Sequence, residues 1–261
     1  MSMTEQFPRP RTVPEFRKPM LGDFTSSLRL GIQDLIAAPL IAIFFASFYV
    51  GSGILMALIT YQTGQTFWLV LAVLGFPLIG TLAAVGFYQV SRCRQNGVPP
   101  RLGDIIWFVW SLRKGQMPWL ATIIVVVFLF WFFIGHMIFA LFLGLSPMTN
   151  VSTSLDVFFT VEGLWMIAIG TLAGGIFATL VFSVSVHGIP LLLDRDIDFM
   201  TAMLTSLSTV FGNLPRYLLW GLFVGVVTLI SMIPMFLGLF ITVPILGHAT
   251  WHLYHRLSTD S

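Results

Sequence analysis

Three histidines near the end of the chain, His248, His252 and His255, stand at positions i, i+4 and i+7, so on a helix they share one face. Neutral imidazole is a good ligand for copper, zinc or haem iron. His187, earlier in the chain, offers a third ring, and the candidate cofactor set is therefore His187, His248 and His252. The competing reading is interfacial, because Trp251 and Tyr254 stand between these histidines and such residues gather where a membrane helix meets headgroups. That reading is favoured and no cofactor is expected; haem or copper is the minority reading. The second charged constellation is Asp194, Arg195, Asp196 and Asp198. Charges at the end of an apolar helix usually pair or meet water, and Asp198 precedes a run that it can cap, so together with Trp251 these residues read as a structural motif.

No other pattern in the chain carries reaction chemistry. It has no phosphate-binding glycine loop, no paired His-and-Glu metal motif and no nucleophile elbow, which weighs against catalysis. The single cysteine, Cys93, excludes an intrachain disulfide. His136 is the one ionisable group well inside an apolar run, whereas ion-driven transporters usually keep a carboxylate or a broken polar helix near the midplane.

The elements that must hold these residues follow from composition. Of 261 residues, 57% are hydrophobic and 9% charged, too few ionisable side chains to coat a soluble particle of this size. Apolar runs near the ~20 residues needed to cross a bilayer predict six spans, at about 39–61, 66–91, 118–145, 162–191, 215–234 and 237–256, the last two parted by a turn at Pro234 and Gly238. All thirteen Lys and Arg residues then fall on one side: Arg9, Arg11, Arg17, Lys18 and Arg29; Arg92, Arg94, Arg101, Arg113 and Lys114; Arg195 and Arg216; and Arg256. The positive-inside rule places that side, and both termini, in the cytoplasm. A net charge of +2 does not suggest nucleic acid as a partner. Residues 1–20 hold four prolines and no long apolar stretch and read as a disordered cytoplasmic tail, followed by a membrane domain over 21–256 and a short tail over 257–261.

The inner segments resemble one another. Leu21-Gly22-Asp23-Phe24, Leu102-Gly103-Asp104-Ile105 and Asp196-Ile197-Asp198-Phe199 each precede a span-opening proline, Pro39, Pro118 or Pro215. Asp suits a helix N-cap and Pro the first helical turn. Apolar residues at helical spacing, such as Phe24, Leu28, Ile32 and Leu35, or Met200, Met203, Leu207 and Phe211, predict amphipathic helices lying in the interface. The predicted fold is all-α: six transmembrane helices as three hairpins, each preceded by a cytoplasmic-side interfacial helix, with an approximate internal threefold repeat. That repeat would make neighbours of Gly86-Phe87-Tyr88, His187-Gly188 and Gly247-His248. Arg92, Arg94, Arg113 and Lys114 are expected to meet anionic lipid headgroups. The pairs Gly170/Gly174 and Gly221/Gly225 present small faces for close helix packing, within the chain or in a homo-oligomer.

Two strings, Pro190 to Ser206 with its Asp194-Arg195-Asp196 core, and Pro244-Ile-Leu-Gly-His248-Ala-Thr-Trp251-His252-Leu-Tyr254, together with the basic segment after the second span, resemble the bacterial integral-membrane proteins grouped as domain-of-unknown-function family 2189. The resemblance spans about 20–256 and implies an inner-membrane location. Some members carry a provisional label as cytochrome c oxidase subunit I. Five scattered histidines do not supply the paired axial and copper ligands of a catalytic oxidase subunit, so the label implies at most an accessory role beside respiratory subunits. A non-catalytic scaffold is the favoured function; the alternative is a small-solute channel or transporter lined by the second span of each hairpin.

The charge asymmetry is directly testable. Cysteines introduced as Lys114→Cys and Asn150→Cys are expected to react with an impermeant maleimide from opposite faces of intact cells; labelling from the same face would overturn the predicted topology.

Overall fold

The structure is a computed structural model, and it describes residues 9–63, 83–144 and 159–259. Helices run over α1 (Leu21–Ala37), α2 (Pro39–Thr63), α3 (83–95), α4 (Leu102–Ser111), α5 (Met117–Leu143), α6 (Val161–Asp194), α7 (Phe199–Phe211), α8 (Leu214–Met232) and α9 (Leu239–Leu257). Two short strands, β1 (Glu15–Phe16) and β2 (Ser258–Thr259), pair antiparallel. Among the described residues four helices are long and apolar enough to cross a membrane: Pro39–Gln62, Met117–Phe142, Val161–Asp194 and Leu214–Met232. Of the second expected span, 66–82 lies outside the described residues and the remainder is α3. The sixth coincides with α9, which is not among those four.

Local chemistry explains the boundaries. Pro39 opens α2, and Pro118 and Pro215 are the second residues of α5 and α8, where a missing N–H costs nothing. Asp198 caps α7, accepting from the Thr201 N–H at 2.9 Å. The other two acids differ from expectation. Met20 and Arg101 occupy the N-cap positions, which puts Asp23 and Asp104 in the first turn, and the Asp23 carboxylate reaches back to the Met20 N–H at 2.8 Å. The expected turn between α8 and α9 is present, with positive φ at Met235 and Phe236. A Cβ on Gly238 would lie 2.6 Å from the Ser231 carbonyl oxygen, so only glycine fits there.

The short helices bury one face against protein, and the apolar stripe that the interfacial reading turns to the membrane is only partly covered. In α1 the buried residues are Asp23, Phe24, Ser27, Gly31 and Asp34, while Ile32 and Ile36 are exposed. In α7 they are Ala202, Ser206 and Val210, while Met200 and Phe211 are exposed. In each case the stripe of small and polar residues packs on protein, α1 against α9 and α7 against α6, because small residues let backbones approach and lipid accepts the large apolar side chains. The closest approach is at Gly31, whose missing Cβ would lie 2.5 Å from the Ile245 carbonyl oxygen and 3.0 Å from the Ala249 nitrogen.

The core sits at one end of the helices. In α6 the residues from Val161 to Phe182 are largely exposed, whereas Ser183 to Leu193 are almost all buried. Where this change falls, the Ser206 hydroxyl donates to the Ser183 carbonyl at 2.6 Å and accepts from the His187 N–H at 3.2 Å, the two groups that an unbroken helix pairs with each other. Pro190 lies in the following turn of the same continuous helix and has no N–H to give to the ladder. Of the two small-residue pairs, Gly174 lies against Trp131 and Gly221 against the ring of Phe182, while a Cβ on Gly170 or Gly225 would meet nothing within 4 Å.

Of the two expected tails, residues 1–8 and 260–261 lie outside the described residues. Residues 9–20 lie across the buried end: the Asp196 N–H donates to the Pro10 carbonyl at 2.9 Å, the Arg17 N–H donates to the Leu257 carbonyl at 3.1 Å, and the ring of Phe16 is 4.9 Å from that of His187. Strand pairing joins Glu15 to Thr259 and Phe16 to Ser258.

A methyl group at position 31 must push α1 from α9. Gly31→Ala is expected to destabilise the protein by about 1–3 kcal/mol, read as a lower melting midpoint in detergent. Gly22→Ala, which meets nothing within 4 Å, serves as the control and leaves the midpoint nearly unchanged.

Candidate functional site

The buried end holds a network of polar side chains centred on Asp34. Gly31 brings α1 against α9, which places Asp34, one helical turn later, beside His248 and His252. The helix α3 contributes Ser91, Arg94 and Gln95, three residues of one face. The Asp34 carboxylate accepts from Ser91 Oγ at 2.5 Å, His252 Nε2 at 2.7 Å and Arg94 at 2.5 Å; His248 Nδ1 lies 3.8 Å away.

Proton positions follow from the donors that have no choice. The Trp251 indole N–H is donor only and reaches Gln95 Oε1 at 2.8 Å, so the Gln95 amide nitrogen faces His252 Nδ1, at 3.1 Å. Nδ1 is then an acceptor and the His252 proton sits on Nε2, directed at Asp34. The Ser91 hydroxyl gives its one proton to Asp34 and accepts from His248 Nδ1 at 2.8 Å. Burial pushes the Asp34 carboxyl upward, but the hydrogen bonds from His252 and Ser91 outweigh it and hold the group below the usual carboxylate value.

A second node forms around Asp194, at the end of α6. Tyr254 Oη donates to it at 2.9 Å, Arg195 lies at 3.1 Å and Arg92 at 3.5 Å, and Arg92 also donates to the Leu193 carbonyl at 3.2 Å. A third is Asp23, held by Arg17 at 2.6 and 2.8 Å, with Arg256 at 3.6 Å. The hydrogen bond and charge of Arg17, with the Met20 N–H, draw the Asp23 carboxyl down to about 2.

The expected site residues therefore separate. His248 and His252 meet at Asp34, but His187 is bonded through Nε2 to Tyr217 Oη at 2.7 Å, beside Phe16, and His255 is exposed. Both ring nitrogens of His252 are in hydrogen bonds, and among the described residues no group of three or more His, Cys, Asp or Glu is arranged to hold a metal. Asp194, Arg195 and Trp251 are buried or half-buried in the network, Asp196 pairs with Arg11 at 3.2 Å on the surface, and Asp198 is a cap. Of the four cations expected at headgroups, Arg92 and Arg94 turn inward to Asp194 and Asp34, while Arg113 and Lys114 are exposed. Asp34, Ser91 and Gln95 are not legible in the sequence as partners of these histidines. Their one signal is an acid three residues beyond Gly31 on a stripe of small residues.

Several apolar helices able to cross a membrane, joined at one end by a buried polar core, define an integral membrane protein. A family model described as "Predicted integral membrane protein (DUF2189)" matches residues 68–194, and the chain is similar to that family over this segment, α3 to α6 among the described residues. The match includes Ser91, Arg94, Gln95 and His187 and leaves out Asp34, His248 and His252. No curated protein and no solved structure matches the chain.

Asp34→Asn removes the charge on which three donors converge and is expected to cost roughly 2–3 kcal/mol, measured by thermal unfolding in detergent. Asp34 and Asp23 both have folded pKa values below their unfolded ones, so their contribution is present above the ordinary carboxylate range and is lost as pH falls below it, for Asp23 as pH falls towards about 2. Melting midpoints should drop over that window, and the drop should shrink in Asp23→Asn; an unchanged acid limb would contradict the pairing.

Proposed function

We propose that the protein is a non-catalytic scaffold or accessory factor of a bacterial cytoplasmic membrane, with both termini inside, that assists the assembly or stability of a respiratory complex of cytochrome c oxidase type. The observation that carries the scaffold reading is how the polar side chains at this end of the protein are used. Asp34, Ser91, Arg94, Gln95, Trp251 and His252 spend their hydrogen bonds on one another and tie α1, α3 and α9 into one body. The clefts described between spans are apolar in character: one of about 240 Å³ is lined by Val127, Phe128, Trp131 and Phe177, and another by Leu172, Ile176, Phe211 and Leu218 among others. A solute path needs polar lining across the bilayer. The respiratory link rests on the label carried by some members of the resembling family.

Three repeated units are also part of this reading. The short helix α1 packs on α9, α7 packs on α6, and Ile105 of α4 shares a cluster with Phe87 and Val90 of α3. In each case the short helix of one unit leans on the second long helix of the preceding one. Phe87 and His248, two of the expected neighbours, have ring centroids 5.5 Å apart. Six crossings in three hairpins accord with that arrangement.

Purification from native membranes in mild detergent should recover respiratory subunits at fixed stoichiometry. Recovery of the chain alone, together with solute flux through vesicles containing the purified protein, would replace the scaffold with the channel reading.

A further inference from the structure

The helix α4 stands at the base of the span α5 with one face in the core and the other bare. Ile105, Phe108 and Leu112, at i, i+3 and i+7, are buried. On the opposite side Trp107 is 70% exposed and Trp110 56% exposed, at i and i+3, and the row continues through Arg113 and Lys114 in the following turn. The Arg113 guanidinium lies 4.0 Å over the ring of Trp110. Only Gly115 and Gln116 separate Lys114 from Met117, the first residue of α5, and Trp119, two residues into that helix, is 60% exposed.

An exposed indole row is costly in water and favourable at the boundary of a bilayer, where the ring sits among headgroups and its N–H finds acceptors. The two cations at the end of the row supply charge at the same depth. Because α5 opens immediately afterwards, α4 cannot stand far from that boundary. We infer that the outer face of α4, through Trp107, Trp110, Arg113 and Lys114, docks on the phosphate headgroups of anionic phospholipid in the leaflet at the basic end of the protein. The indoles set the depth, and Arg113, held flat by Trp110, presents its guanidinium edge to phosphate. This surface is independent of the scaffold reading. It also replaces Arg92 and Arg94, whose guanidinium groups are already engaged by Asp194 and Asp34.

The test uses the full chain reconstituted in vesicles of phosphatidylcholine and phosphatidylglycerol, one or the other brominated so that a lipid touching an indole quenches its fluorescence. Brominated phosphatidylglycerol is expected to quench at lower mole fraction than brominated phosphatidylcholine. The preference should fall by about five-fold for each cation removed in Arg113→Gln and Lys114→Gln, the equivalent of ~1 kcal/mol. Arg113→Lys should retain most of it. Raising salt to ~1 M, where the screening length is about 3 Å, should weaken the preference of the unaltered protein, which keeps the test informative if a variant fails to fold. Equal quenching by the two lipids, or a preference that survives both the double variant and high salt, would overturn the assignment. Loss of partner subunits in the purification described above would leave it standing.

Discussion

A single buried carboxylate organises this protein. Asp34 is 4% exposed, and a bare charge at such a place is tolerated only when donors surround it. Those donors come from regions far apart in the chain: Ser91 and Arg94 on α3, and His252 on α9, 218 residues away. Because each donor has a fixed reach, the carboxylate sets how α1 lies on α9 and where α3 fits between them. Gly31 permits the approach; Asp34 gives it a definite register. The chain from Trp251 through Gln95 to His252 removes the remaining freedom, since a donor-only indole at one end dictates the orientation of every hydrogen bond up to the carboxylate.

The same end of the molecule gathers the termini. Phe16 closes over His187 and Tyr254, and Arg17 bonds both to the backbone of Leu257 and to the side chain of Asp23. Asp194 repeats on a smaller scale what Asp34 does, joining α3, α6 and α9 through Arg92, Arg195 and Tyr254. Polar groups concentrate where helices leave the apolar spans, so the protein is held together at one end while the long outer portions of α5 and α6 keep large apolar surfaces exposed. This division suits a chain whose solvent is lipid along most of its length, because oil around a span offers no hydrophobic gain for packing and association there depends on fit and small residues.

Much of the local structure was legible in the residues. Apolar runs gave the long helices, proline their openings and Asp198 a cap, because these depend on a few neighbouring side chains and on the energetics of an unpaired N–H. The grouping of basic residues in the segments between apolar runs was equally plain, but it did not distinguish cations that face headgroups from those that face protein. Arg113 and Arg92 look alike in the chain; one lies over Trp110 and the other is closed against Asp194.

What the sequence by itself determined is the class of the protein and the length and spacing of its helices, since the cost of bringing polar groups into hydrocarbon acts on any stretch of residues wherever it folds. Tertiary structure decided which face of each short helix turns inward. In α1, Ser27, Gly31 and Asp34 are buried and Ile32 is not, because a membrane accepts isoleucine as readily as a protein interior does and the decision passes to close packing and hydrogen bonds. It also parted His187 from His248 and His252. Three imidazoles are equivalent as letters, and only the folded chain assigns one to Tyr217 and the other two to the surroundings of Asp34.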